Sequence, residues 1–352
     1  MQQFDLEDFD LAEALNNAEN GEGDVQSQSM LMLGSYYHNV KDYDNMKLYY
    51  ERVIEKGNSE HRAQAMCFLG YYYQYVEEDY DTMKKYYEMA VEQGVGEAML
   101  ALCAFYSDID FDSMFKYYEM VLLTKDSVLH SGAMYVLGSY YHSIKDYDNM
   151  KKYFDMAIAL GNYEPAQTLG IHYHFVEKDY DNMKKYYNMA IEFCCDSSST
   201  SINNMGMYYT NTEKDYEKAV KYFDVGVAQG DRDSINNLGI YYWFVEKDYE
   251  KAKKYFDMGI ELKHSNAMNN MGSYYLIVEK DYVKAVKYFN MAIELNNSDA
   301  TFNIGCCYEK MGDYENMKKY YNMAIALNNK HAMNDIVRIE KAILDIPIHS
   351  VM

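Results

Sequence analysis

Apolar positions in this chain recur with a helical period inside short segments, and the segments themselves recur. Between Ser234 and Lys263, Ile235, Leu238 and Tyr242 stand three and four residues apart, which puts them on one stripe of a first helix. Tyr249, Ala252, Phe256 and Ile260 repeat that spacing in a second helix, leaving Glu246-Lys247 as the turn. An Asp-aromatic pair opens each second helix: Asp42-Tyr43, Asp79-Tyr80, Asp110-Phe111, Asp146-Tyr147, Asp179-Tyr180, Asp215-Tyr216, Asp248-Tyr249, Asp281-Tyr282 and Asp313-Tyr314. The aromatics are 37, 31, 36, 33, 36, 33, 33 and 32 residues apart. A period in the low-to-mid thirties is the length of a helical hairpin that cannot bury its apolar face alone and must stack on its neighbours.

Small residues mark where paired helices approach: glycine at 34, 70, 138, 170, 206, 239, 272 and 305, with Ala104 in the third unit. Each paired Asp can accept from free amides of the first helical turn, and acids such as Glu250 suit the positive end of the helix dipole. Asp148 with Lys151 and Lys152, and Asp181 with Lys184 and Lys185, supply charge pairs along a solvated outer face, so each Lys-Lys-Tyr-aromatic run reads as an edge beside a buried ring rather than a basic patch. The third unit is damaged, with a shortened turn at Phe105 to Asp110. Longer connections around Asn58 to Arg62, Thr124 to His130 and Cys194 to Ser201 all fall at one edge and predict bulges or extra helical turns. The ends need caps because a stack otherwise exposes its core. Residues 8 to 21, opening with Asp8-Phe9, read as a lone second helix, and Ala332 to Leu344 as a closing helix. The expected division is an acidic segment with a capping helix over 1–26, the repeat array over 27–330, and a capping helix and tail over 331–352.

Composition narrows the partners. With 49% hydrophobic residues, 41 tyrosines and 2 prolines, the chain can bury a continuous helical core. A net charge of −22 argues against nucleic-acid backbones and anionic lipid, leaving neutral or basic protein surfaces. No stretch is apolar for long enough to span a bilayer, and the acids between Met1 and Asp10 stand where a signal peptide needs positive charge; a cytoplasmic or nucleoplasmic address is expected. Cys67, Cys103, Cys194, Cys195, Cys306 and Cys307 form no ligand-spaced pair and read as reduced thiols.

Asn237-Leu238-Gly239, Tyr242, Asp248-Tyr249 and Ala252 carry a resemblance to the tetratricopeptide repeat superfamily, repeated from about residue 27 to 330. The connections Leu160 to Ala166 and Gln229-Gly230-Asp231 look more like the Sel1-like branch, so the chain reads as intermediate between the two. In its Tyr- and Asn-rich style it also resembles repeat proteins of giant amoeba-infecting viruses, which would put it in the cytoplasm of a host cell. The resemblance implies an all-α fold, a right-handed α-solenoid of about nine helix-turn-helix repeats, with first helices lining a groove. It implies that an Asn before Leu-Gly bonds the backbone of an extended peptide: here Asn204, Asn237, Asn270 and Asn303, with Asn203, Asn236 and Asn269 beside three of them. The alternative is that these asparagines only bond neighbouring helices. His38, His142, His174 and Trp243 follow on the same face. A chaperone-tail clamp would need Lys or Arg where Thr200, Asp233, Asn266 and Asp299 stand, and is disfavoured.

Other chemistry finds no support in the residues. His172, His174 and His142 have no ligand-spaced cysteine or carboxylate cluster, so no metal and no cofactor is expected. No nucleophile elbow, phosphate loop or paired acid-base site is present, and an enzyme is not expected. The acids from Asp5 to Asp24, interleaved with Phe4, Leu6, Phe9 and Leu11, are either a docking motif or part of the N-terminal cap. The leading expectation is a protein-protein interaction scaffold that binds a peptide or partner protein. The alternative is a structural, self-assembling protein that packs through its surfaces.

Overall fold

The computed structural model describes residues 9–193 and 198–334. The chain divides into two compact units, Met1–Leu169 and Gly170–Met352. Among the described residues every regular element is helical.

The first unit holds α1 (Leu11–Asn20), α2 (Gly23–Asn39), α3 (Tyr43–Lys56), α4 (Ser59–Tyr75), α5 (Tyr80–Glu92), α6 (Gly96–Tyr106), α7 (Phe111–Leu122), α8 (Ser127–Ser143) and α9 (Tyr147–Ala159), and the division falls within α10 (Pro165–His172). The second holds α11 (Tyr180–Phe193), α12 (Ser199–Tyr208), α13 (Tyr216–Ala228), α14 (Arg232–Tyr241), α15 (Tyr249–Glu261), α16 (Ser265–Tyr274), α17 (Tyr282–Glu294), α18 (Ser298–Met311), α19 (Tyr314–Ala326) and α20 (Lys330–Asn334). Within each unit, first and second helices pair as hairpins, and each hairpin packs on the next.

The hairpins close because the first helix has no side chain where a ring must lie. A Cβ added to Gly239 would come within 2.5 Å of Phe256 Cε1, a distance real contacts do not reach. Phe256 is fully buried there, between Ala252 and Met271 in one core cluster. The same ring position is filled by Tyr50, Phe154, Tyr187, Phe223, Phe289 and Tyr321 opposite their own glycines.

Two turn geometries recur between the paired helices. Where eight residues separate glycine from aspartate, the aspartate N–H donates five residues back, as in Asp42 to the Tyr37 carbonyl and Asp146 to that of Tyr141. Where nine separate them in the second unit, the extra residue is taken up by a π-helical turn: Tyr173–Glu177, Tyr209–Glu213, Tyr242–Glu246 and Tyr275–Glu279. The back-bond then spans six, from Asp248 to the Tyr242 carbonyl and from Asp281 to that of Tyr275. A π turn widens the helix by one residue without ending it. In both classes a residue in the left-handed region ends the turn, Lys41 and Lys247 at φ 60° and Gly312 at φ 72° among them.

The connections on the opposite edge differ in a simpler way. The residues around Asn58 and Thr124 to His130 extend the following first helices, α4 and α8, to 17 residues each, capped by Asn58 and Asp126. Of the third long connection, Cys194 to Ser197 lies outside the described residues. The N-terminal helix is present but starts later than expected: Asp10 caps α1 by accepting from the Glu13 N–H at 3.0 Å, while Asp8 lies outside the described residues. Ala14 and Ala18 of α1 are buried against α2, and Phe9 stacks on Tyr36 at 5.1 Å. At the other end Ala332 is buried beside Tyr321, and residues 335–352 lie outside the described part.

Aspartate caps begin the second helices. Asp248 accepts from the Lys251 N–H at 3.1 Å and Asp281 from the Lys284 N–H at 3.0 Å. These backbone bonds, helped by the same lysines' ammonium groups, hold both carboxyls below the usual carboxylate range. A depressed carboxyl contributes stability that is complete above its unfolded pKa of about 4 and is lost as pH falls toward the folded value. Asparagine caps about as well but does not titrate in this range. Asp248→Asn with Asp281→Asn should therefore leave the thermal midpoint near neutral pH unchanged and reduce its fall between about pH 4 and pH 2. Circular dichroism melts across that range check this; a fall equal to the parent protein's would show that the caps are not the titrating groups.

Candidate functional site

The asparagines singled out by the sequence lie on successive first helices of the second unit, and they bond to one another. Asn237 Nδ2 donates to Asn203 Oδ1 at 2.7 Å, Asn270 Nδ2 to Asn236 Oδ1 at 2.9 Å, and Asn303 Nδ2 to Asn269 Oδ1 at 2.9 Å. Each bond joins adjacent hairpins across 34 residues. Asn204, which has no asparagine before it to bond, donates instead to the Tyr187 hydroxyl at 3.0 Å. The reading that these amides bond neighbouring helices thus describes a contact that exists. It does not use the amides up: Asn237, Asn270 and Asn303 each spend one N–H on the row, and an amide carries a second N–H and a carbonyl oxygen. All three are half-buried, whereas Asn236 is 6% exposed.

His174 and Trp243 occupy equivalent places in their π turns but meet different surroundings. His174 is half-buried, with Nδ1 3.4 Å from the Tyr187 hydroxyl and its ring edge-on to Tyr208. Burial lowers its pKa, which keeps the imidazole neutral near pH 7. It therefore joins Asn204 on the same tyrosine. Trp243 is 5% exposed and packs edge-on against Phe256 and Tyr274, so its surface belongs to the core rather than to a ligand face. Both rings lie edge-on to a tyrosine of the next hairpin, and the larger indole is the more completely buried.

The lysine-rich runs do more than solvate an edge. Lys184 on α11 reaches the turn of the next hairpin, where Glu213 lies at 2.9 Å and also accepts from the Tyr208 hydroxyl at 2.8 Å. The ammonium stands 5.4 Å from the centre of the Tyr208 ring. Lys184 and then Tyr208 hold the Glu213 carboxyl below its ordinary pKa. Lys47 with Tyr72 and Glu77, and Lys253 with Tyr274 and Glu279, repeat the cluster at 3.7 and 3.6 Å. The neighbouring tyrosines form near-parallel pairs between the two helices of a hairpin, such as Tyr173–Tyr186 at 5.4 Å and Tyr242–Tyr255 at 5.5 Å. Both features were hidden in the sequence because each partner sits outside its own helix; only the recurrence of Glu before Lys-Asp-Tyr signals the first.

Among the described residues no group of three His, Cys, Asp or Glu side chains comes together as metal ligands. His172 and His174 are engaged separately, His172 Nε2 lying 3.0 Å from Glu177. No helix among the described residues is long and apolar enough to cross a membrane.

Sequence models of two repeat families match the chain in alternation: the tetratricopeptide repeat over residues 27–55, 131–160 and 298–331, and the Sel1 repeat over 63–95, 199–231, 233–264 and 265–297. The chain belongs to the tetratricopeptide and Sel1-like helical repeat superfamily. Its structure is similar to that of a protective antigen of uropathogenic Escherichia coli with an SLR fold, at a TM-score of 0.62 and 19% identity, over 94% of this chain and 75% of that one. A Sel1 repeat protein from Oxalobacter formigenes is similar at a TM-score of 0.62 and 17% identity, over 89% of this chain and 93% of that one. Both likenesses place the chain in the α-solenoid class and carry no more than the fold. No curated protein matches the sequence.

Within this superfamily, the division between the two models follows turn length. The three tetratricopeptide segments contain the hairpins with eight residues from glycine to aspartate, Gly34 to Asp42, Gly138 to Asp146 and Gly305 to Asp313. All four Sel1 segments contain hairpins with nine, Gly70 to Asp79 and the three that begin at Gly206, Gly239 and Gly272. The chain's intermediate character is thus a mixture of two turn types in one array. As for the asparagine row, Asn270→Ala should lower stability by about 1 kcal/mol, the usual net contribution of one hydrogen bond. Urea unfolding followed by circular dichroism measures this; an unchanged midpoint would mean water replaces the contact at no cost.

Proposed function

We propose that this protein is a non-enzymatic scaffold which holds an extended peptide or a segment of a partner protein against the first helices of its second unit. Repeat families of this kind are typically non-catalytic interaction scaffolds, which is the background to the proposal. The observation that carries it is the asparagine row. Amides already oriented by one bond cost little to order when a ligand arrives, and their remaining donor and acceptor suit an extended backbone with its own groups unpaired. Tyr187, shared by Asn204 and His174, closes the row at one end. Residues 27–330 form the working array in this reading, with 1–26 and 331–352 as its ends, and a neutral or basic segment fits the net charge of −22. Asn237→Ala with Asn270→Ala should preserve the helical circular dichroism signal and weaken, at least fivefold, capture of a partner identified by pull-down from the native source. Equal capture would remove the row from the binding face.

A second reading, self-association, is favoured by the π turns themselves. Phe175, Phe244 and Ile277 stand at the same turn position and are 60%, 55% and 61% exposed. Light scattering over a concentration series tests it: a rising mass that Phe244→Ser with Ile277→Ser abolishes supports assembly through these turns, and a constant monomer mass excludes it.

A further inference from the structure

The first unit has its own open feature on the first-helix face, at the damaged third repeat. A pocket of about 670 Å³ lies between α4 and α6. It exists because the residues α6 presents there are small. Ala101 stands three before Ala104, the register at which α8 and α18 carry Tyr135 and Phe302 and the second unit carries Asn203, Asn236 and Asn269. The asparagine row covers that register in the second unit, whereas here Cys67, Phe68 and Ala101 leave an apolar floor.

The walls are acidic and aromatic. Glu60 and Glu97 line the pocket, and no Lys, Arg or His does. The cation next in sequence, Arg62, turns away to the Glu55 carbonyl at 3.3 Å. Glu97 lies close enough to Cys67 to add to the burial that pushes its thiol up to about 12, so the carboxylate's field reaches the floor. Tyr71 and Tyr75 lie ring against ring at 4.6 Å and remain 37% and 61% exposed, offering aromatic faces with no occupant of their own. Gln64 and Gln74 complete the polar lining.

A guanidinium stacks on aromatic faces and bonds carboxylates in one plane, and its aliphatic stem covers apolar surface. We propose that this pocket receives the arginine side chain of a basic segment in a partner protein, with its stem on the apolar floor of Phe68 and Ala101 and its guanidinium at the Glu60 and Glu97 end, while Tyr71 and Tyr75, further along α4, cover the neighbouring part of the segment. The volume is in the range of specific small-ligand sites. The proposal shares with the preceding section only the premise that the partner is a protein, and it makes no use of the asparagine row.

The test uses a fluorescein-labelled peptide, Gly-Leu-Arg-Leu-Arg-Gly, and its neutral twin with citrulline for arginine, read by fluorescence polarisation against the full chain. The arginine peptide should bind at least tenfold more tightly than the citrulline peptide, more weakly as salt rises. Glu60→Gln with Glu97→Gln should remove at least tenfold. Ala101→Phe keeps every charge and places in α6 a residue of the size that α8 and α18 already carry at that register; it should block the pocket and cost at least tenfold. Asn237→Ala with Asn270→Ala should leave this binding unchanged, which separates it from the asparagine face. Equal binding of the two peptides, or full binding by a folded Ala101→Phe protein, would show attraction to a negative surface without a pocket and overturn the proposal. So would failure of the arginine peptide to bind at millimolar protein.

Discussion

Everything in this molecule depends on a ring lying directly on a backbone. At Gly239 the Phe256 ring sits where a side chain would have to be, and α14 closes on α15 through that contact. That approach explains why the ring position alternates between Phe and Tyr without changing the hairpin. A phenylalanine simply fills the space, while a tyrosine carries a hydroxyl out to the first-helix face, where Tyr187 meets Asn204 and Tyr87 meets Gln74. The packing constraint thus decides which hairpins present an oriented hydroxyl beside the inner residues.

Hairpins join through polar contacts laid over this core. Lys184 with Glu213 and Tyr208 ties a second helix to the following turn, and Asn237 with Asn203 ties one first helix to the next. Exposed ion pairs are individually weak. Here the ammonium also lies over a ring, and the carboxylate also takes a hydroxyl, so each contact orders the others. Tyr72, Tyr208 and Tyr274 serve in these clusters, and Tyr173, Tyr186, Tyr242 and Tyr255 in the stacked pairs.

Much of this was legible in the residues. The glycine register, the Asp caps and the hairpin boundaries followed from a period that leaves few alternatives, and a cap at Asp10 rather than Asp8 is a shift within one helical turn. The recurrence of the asparagines is legible in the residues, and whether they bind a ligand or bond neighbouring helices is not. The structure supplies the bonds because only stacking brings residues 34 apart to 2.7 Å. Trp243 and His174 share a position, but position does not say how fully each side chain is buried there. The lysine clusters were read as solvated edges for a related reason: helical periodicity shows which residues share a face, not what the next repeat places opposite them. In the second unit the two turn classes are written in the glycine-to-aspartate spacing, eight against nine, whereas Gly70 to Asp79 also counts nine and closes without a π turn.

The π turns have a consequence for how such an array can change. An inserted residue ordinarily rotates everything after it by a hundred degrees about a helix axis. In the second unit the surplus is confined to the turn, ahead of the aspartate cap that restarts the next helix. Asn203 to Asn237, Asn236 to Asn270 and Asn269 to Asn303 therefore keep one phase, each across one π turn. The surplus residue is taken up at the turns while the face opposite them stays in step.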